Sequence, residues 1–290
     1  MNILITGVGG PAGRALVKQL ATSGHSVIGV DMQEVPVAEV DAFELVPAAH
    51  DPEMINHLAR LVQQYQVDVL IPTVADELLM VAKAANVGVF AHAHVVISAP
   101  EAVEKCFDKL FTMRALRESG VSVPPFGLPS DFKDAEDVFA KLGEVIITKP
   151  RVARGGRGFK VHRSPAAFNL AAYDDSYIIQ AFAPGEEYAP MVHMDAKGGG
   201  ELVAVVHKKR EDFCGTEAPL VQLIDTSEAL DVAMLAVRAC RALKLEGPVD
   251  LDIRRMVDGR PVVLEVNARF GANSSLAPEI LEAVLSFSTE

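Results

Sequence analysis

Residues 1–17 read MNILITGVGGPAGRALV, and the N-terminal architecture follows from them. The apolar run over residues 2–5 reads as a buried strand, followed by Gly7-x-Gly-Gly-x-x-Gly13. Pro11 stands where a first helical turn tolerates it, because its missing N–H would lack an intrahelical partner there in any case. Ala15, Leu16, Val17 and Leu20 then recur at helical spacing. The same alternation continues outward. Residues 26–30 form a strand ending in Asp31, and a helix over 52–64 turns Ile55, Leu58, Leu61 and Val62 inward. A strand at 68–71, a helix from Asp76 and a strand at 87–90 close the run. Strands alternating with helices predict right-handed βαβ units on a parallel sheet, a Rossmann-like domain over residues 1–97. Its glycine turn, with Asp31 after the next strand, suits a pyrophosphate at a helix N-terminus and a ribose on the acid. A tight strand-to-helix turn needs the same glycines without any ligand. On the motif itself both readings stand.

From Pro100 the pattern changes. Helices over 101–106 and 108–119 lead to a Val-Pro-Pro link at 123–125. Beyond it the apolar stretches at 145–148, 177–181, 187–194, 202–207, 249–253 and 261–266 read as strands. One strong helix over 227–243 intervenes, with Ser227 as its N-cap, and Gly198, Gly199 and Gly200 read as a hairpin turn. This predicts an antiparallel α+β half.

The chain has 290 residues, half of them apolar and 23% charged, which excludes long-range disorder and suits two or three compact units. With 27 Lys and Arg against 39 Asp and Glu, the net charge of −12 argues against a nucleic-acid or anionic-membrane binder. Three widely spaced cysteines form neither a disulfide framework nor a CxxC metal site. No apolar run approaches the roughly 20 residues of a membrane span, and the N-terminus lacks signal-peptide character. A soluble, cytoplasmic protein is expected.

Against that acidic background, residues 148–158, Thr-Lys-Pro-Arg-Val-Ala-Arg-Gly-Gly-Arg-Gly, are out of character. A strand ends in Lys149, and a loop with Arg151, Arg154, Gly155, Gly156, Arg157 and Gly158 follows. Freed N–H groups beside cations suit a triphosphate. The lysine precedes the glycines and no GK[ST] follows, so this is not a P-loop. A solvated hairpin would account for the glycines but not for a lysine on a buried strand.

The third motif is a carboxylate set. Asp252 lies on VDLDI, and Glu265 and Asn267 lie two apart on LEVNAR, hence on one face. A turn at Asp258–Gly259 makes the two strands a hairpin with Asp252 opposite. Two carboxylates and an amide oxygen are hard donors of the kind Mg²⁺ takes beside phosphates, and Arg269 could reach a phosphate bidentately. A polar sheet face with a salt bridge is the competing reading. His207, beside Lys208, Lys209 and Arg210, belongs to a cationic rim; no histidine shows metal spacing.

Together these residues resemble the ATP-grasp superfamily, particularly the branch that includes the carbamoyl phosphate synthetase large subunit. ILITGVGGPAGRALV is similar to its Rossmann-like first domain and DKLFTMRALRESGVSVP to its next segment. VIITKPRVARGGRGF is similar to its phosphate loop, YIIQAFAPGEEY to its hinge, and DLDI with LEVNARFG to its magnesium set.

The resemblance implies a two-subdomain ATP-grasp domain over 98–182 and 183–290. Lys109, Lys149, Arg154, Gly155, Gly156 and Gly158 would meet phosphates, and Gln180, Ala181 and Phe182 would meet adenine. Glu187, seven residues after Gln180, would hold the ribose. Asp252, Glu265 and Asn267 would hold Mg²⁺, as one or two ions replaceable by Mn²⁺, with Arg269 and Lys149 catalytic. The implied activity is ATP-dependent carboxylate–amine ligation through an acyl phosphate, on an amino acid or other small carboxylate. The resemblance also sets dinucleotide binding by the glycine turn aside and aims that turn at the acceptor site. Only 21 residues follow Arg269, which predicts an acceptor pocket left open or completed by a partner subunit or second copy. Two other classes remain: an NAD(P)-dependent oxidoreductase, which lacks a Tyr-x-x-x-Lys and leaves the second half without a role, and a non-catalytic nucleotide-binding protein.

Overall fold

The computed structural model describes residues 1–37, 39–153, 155–195, 200–209 and 219–286. The N-terminal part runs β1 (Asn2–Thr6), α1 (Pro11–Leu20), β2 (Ser26–Asp31), β3 (Ala42–Leu45), α2 (Met54–Gln64), β4 (Val69–Ile71), α3 (Leu78–Asn86) and β5 (His94–Val95). The five strands form one all-parallel sheet in the order β3-β2-β1-β4-β5. Both faces are covered, as parallel sheets require. Ile3 and Ile5 bury against α1 and elements of the second half, whereas Leu4 faces Met54, Leu58 and Val81 of α2 and α3.

The second part begins with α4 (Pro100–Phe107) and α5 (Lys109–Glu118). A small antiparallel sheet, order β6-β9-β7-β8, comprises β6 (Phe126–Gly127), β7 (Ile146–Pro150), β8 (Lys160–His162) and β9 (Tyr177–Ala181), with α6 (Ala135–Leu142) on it. A larger antiparallel sheet follows. It contains β10 (Glu187–Met194), β11 (Glu201–Lys209), β12 (Leu220–Ile224), β13 (Gly247–Arg255) and β14 (Pro261–Asn267), in the order β12-β11-β10-β13-β14. One face takes α7 (Leu230–Leu243) with α4 and α5. The other packs Ala189, Met191, Ala204 and Val206 against α8 (Pro278–Leu285) and the β1–α1 core. The two halves therefore share one apolar core, which sets the relation between the N-terminal sheet's strand ends and the β13–β14 hairpin.

The expected fold class is present: a Rossmann-like parallel sheet followed by two antiparallel sheets. Three local expectations change. Residues 87–90 are turn, not strand: Gly88 and Ala91 take φ of +75° and +50°, and only His94–Val95 reaches the sheet. Ser227 does not cap α7. Asp225 caps a 3₁₀ turn, Thr226–Ala229, by accepting from the Ser227 amide at 2.8 Å, and α7 starts only at Leu230. The second half also holds short helices α6 and α8; α6 is capped by Asp134, which accepts from Asp137 N. The glycine run at 198–200 lies largely outside the described residues, between strands paired up to Met194↔Glu201.

Candidate active site

The site is assembled at the start of α5. Asp108 is its N-cap, accepting from Leu110 N at 2.8 Å. Arg151 grips the same carboxylate with Nε at 3.1 Å and Nη2 at 2.6 Å, and donates from Nη1 to the Asp175 carbonyl. Arg151, counted at first among the phosphate-loop cations, is thus spent on fastening the loop to α5. Lys109 follows. Its amide donates to the Arg151 carbonyl, and its Nζ donates to Ala153 O at 2.7 Å and lies 3.5 Å from Glu265 Oε1.

Lys149, on buried β7, donates from Nζ to Leu264 O at 3.1 Å. Burial pushes this lysine down to about 8, opposed chiefly by the charge of Glu265. Gly155 and Gly156 hold φ of +60° and +69°, left-handed values that favour glycine, with open space around them. Gly158 sits apart, close over Pro150. Arg154 lies outside the described residues.

The β13–β14 hairpin places Asp252 opposite Glu265 and Asp250 opposite Asn267, with a bulge after Asp252. Lys208 reaches over from β11 to bond Asp252 and to lie 3.2 Å from Glu187. Burial alone would lower Lys208, but Asp252 and Glu187 outweigh it and hold it above the ordinary lysine value. Arg269 Nη1 donates to Asp250 Oδ2 at 3.3 Å and to Phe270 O at 2.8 Å. Burial pushes Asp250 up to about 6 in spite of that partner. Asp250 Oδ1 is buried with no hydrogen-bond partner among the described residues.

Two cavities result. One of about 300 Å³ is lined by Lys109, Gly155, Gly156 and, across from them, Asp252, Glu265 and Asn267. The other, about 670 Å³, lies over the C-terminal ends of the parallel strands. Asp76, Gly155 and Arg269 line both. The structure therefore gathers seven of the expected residues around one cavity: Lys109, Gly155, Gly156, Asp252, Glu265, Asn267 and Arg269. Lys149 does not line it and meets β14 through the Leu264 carbonyl.

The hinge group is connected differently. Gln180 is fully buried against Met113, and its Oε1 has no partner among the described residues. Ala181 is buried, and Phe182 lies under the Arg254 guanidinium at 5.3 Å. None of these, nor Glu187, lines the smaller cavity; Lys208 is the link between Glu187 and Asp252.

The hairpin fits a divalent cation by the chemistry of its donors, which are hard oxygens already neutralised by two ammonium groups. Among the described residues no three His, Cys, Asp or Glu side chains form a metal cluster; the expected set is two carboxylates and an amide.

Asp250 and the bridging role of Lys208 were missed from sequence. The signal for Asp250 was its position two before Asp252, on the same strand face. Asp31, the ribose ligand of the dinucleotide alternative, is used inside the turn, accepting from Gly9 N at 2.9 Å and from Gln33 N. A Cβ on Gly13 would come 2.4 Å from Gly7 O, so that glycine serves close packing of α1 against the turn.

Residues 106–273 match the ATP-grasp domain family, and residues 3–95 match the PylC-like N-terminal domain. The chain belongs to the ATP-grasp family. It is 30% identical over 195 residues to a D-alanine–D-alanine ligase of Gloeobacter violaceus, covering 61% of this chain and 63% of that protein. It is 24% identical over 206 residues to the carbamoyl phosphate synthase large chain of Pyrococcus furiosus, covering 64% of this chain and 19% of the other. Its fold is similar to that of an L-amino acid ligase from Bacillus licheniformis, with a TM-score of 0.70 at 19% identity over 94% of this chain and 68% of that one. The chain thus spans under two thirds of the D-alanine–D-alanine ligase's length. Among the described residues no helix is long and apolar enough to cross a membrane.

Proposed function

We propose that the protein is an ATP-dependent carboxylate–amine ligase that works through an acyl phosphate. The observation that carries this reading is the in-register pair Asp252↔Glu265 on the wall of a cavity that also presents Lys109, Gly155 and Gly156. Asp252, Glu265 and Asn267 would hold Mg²⁺, which supplies counter-charge to the nucleotide phosphates. Lys109, Lys149 and the amides of the glycine loop neutralise charge as the γ-phosphorus is attacked by a substrate carboxylate oxygen and ADP leaves. An amine then attacks the acyl carbon, phosphate departs, and the amine proton passes to solvent. Arg269, on the boundary of the two cavities, stabilises the phosphate and the tetrahedral centre. Gln180 to Phe182 take the adenine. Glu187 takes the ribose.

A melting comparison tests the assignment. ATP with Mg²⁺ at 100 times its dissociation constant should stabilise the fold by about 2.7 kcal/mol, whereas NADH should not. A clear shift with NADH and none with ATP–Mg²⁺ would refute it.

A further inference from the structure

The glycine loop leaves β7 between two ties. Lys149, the last residue but one of the strand, donates from Nζ to Leu264 O of β14. Arg151, the first residue beyond the strand, turns to the start of α5 instead. Its Nε lies 3.2 Å and 3.1 Å from the two carboxylate oxygens of Asp108, and its Nη2 lies 2.6 Å from Oδ2. Its Nη1 donates to Asp175 O at 3.0 Å, its amide donates to Ser176 O at 2.8 Å, and the guanidinium stands 5.5 Å over the Phe111 ring.

Neighbouring groups repeat the link. Lys109 N donates to Arg151 O at 3.0 Å, and Lys109 Nζ donates to Ala153 O at 2.7 Å. Asp108 also accepts from Leu110 N, so the carboxylate that holds Arg151 is itself fixed by the helix it caps. Farther along the loop, Gly155 and Gly156 have nothing within 4 Å on the side where a Cβ would stand. The loop is therefore anchored at its entry and uncrowded at its glycines. Lys109, Val152, Ala153, Gly155 and Gly156 line the smaller cavity, whereas Asp108 and Arg151 line neither cavity.

We propose that the Asp108–Arg151 pair is a positioning device for the phosphate chain of the nucleotide: it sets the spacing between Lys109 and the entry of the glycine loop, so that ammonium and loop amides meet the phosphates together. The inference rests on the ligase reading and adds two residues that act through others. A planar guanidinium gripping a carboxylate by two nitrogens fixes orientation as well as distance. Without it the loop entry would keep only single hydrogen bonds to α5, and the cost of ordering the donors would fall on nucleotide binding.

Calorimetric titration tests this without knowledge of the acid or the amine. Mg²⁺ with AMP-PNP, which carries the whole phosphate chain, is compared with AMP, which carries only the first phosphate. Asp108→Asn keeps an oxygen that can cap α5, since asparagine caps as well as aspartate, and removes the charge that Arg151 grips. Arg151→Gln removes the guanidinium. Each should weaken Mg–AMP-PNP binding by about 10-fold or more, the scale of one charge-assisted hydrogen bond, while AMP binding is unchanged. The double variant should lose no more than the worse single one, as for two residues acting through one contact.

Should Asp108→Asn not fold, Arg151→Lys carries the test. It keeps the charge but lacks the fork, and it should still lose affinity for Mg–AMP-PNP and not for AMP. Equal losses for AMP and AMP-PNP would mark a purely structural pair and overturn the proposal. Additive losses in the double variant, or wild-type affinity in the single ones, would overturn it as well and leave the ligase reading standing. A wild-type protein that does not bind Mg–AMP-PNP would overturn the ligase reading, and the proposal with it.

Discussion

Glu77→Gln tests the buried carboxyl at the floor of the larger cavity. Glu77 is 2% exposed and accepts hydrogen bonds from Thr6 and Val74 through one oxygen. Burial moves its pKa from 4.5 up to about 7, with those hydrogen bonds holding the rise in check. In the unfolded chain the same group titrates near 4.5, so between these values the folded state binds more protons. The contribution is therefore fully present below about 4.5 and is lost as pH rises through about 7. At 1.36 kcal/mol per pH unit, the difference amounts to about 3 kcal/mol above pH 8.

Glutamine keeps the carbonyl that accepts from Thr6 and Val74 and cannot ionise. Burying its NH₂ offsets roughly 1 kcal/mol of the gain. Denaturant unfolding should therefore show Glu77→Gln more stable than wild type by about 2 kcal/mol at pH 8.5, with the gap closing toward pH 5. An offset independent of pH, or a less stable variant at pH 8.5, would refute the reasoning.

Two further substitutions address the smaller cavity. Glu265→Gln removes the charge 3.5 Å from Lys109 while keeping the side-chain shape; ADP formation should fall by about 10²-fold or more with the fold retained, and a folded variant turning over at the wild-type rate would end the magnesium assignment. Glu187→Ala should raise the KM for ATP while leaving kcat at saturating ATP near wild type, because ribose contacts are alike in ground and transition states; an unchanged KM would remove Glu187 from the nucleotide site.

What the sequence disclosed followed how local its determinants were. Strand, glycine turn and helix at the N-terminus are set within a dozen residues, and they appear in the structure as β1 and α1. The Asp252–Glu265 register was also legible, because a short turn and a period of two leave few alternatives. Arg151 was not. Its cation sits beside the glycines in sequence, but the bidentate partner is Asp108, 43 positions away, and nothing local signals that pairing. The Lys208 bridge was hidden for the same reason: β10 lies between β11 and β13, so Lys208 and Asp252 come together only once three strands are ordered. The strand expected at 87–90 failed through backbone conformation, since Val and Phe favour strands but Gly88 and Ala91 turn the chain.

The pairing pattern on the cavity wall explains how so charged a site can fold before any ligand arrives. Lys109 faces Glu265, Lys208 binds Asp252 and Glu187, and Arg269 binds Asp250. A partly buried carboxylate left alone would be strongly destabilising, and each of these has a cation instead. On the ligase reading, a nucleotide triphosphate with its divalent cation brings both signs of charge together. The phosphates can take over the lysines while the cation takes over the carboxylates, so binding exchanges partners without stranding a charge in a low-dielectric pocket. Either ligand alone would break pairs it could not replace. The acidic hairpin and the cationic loop are therefore two halves of one electrostatic arrangement, even though they lie about a hundred residues apart in sequence.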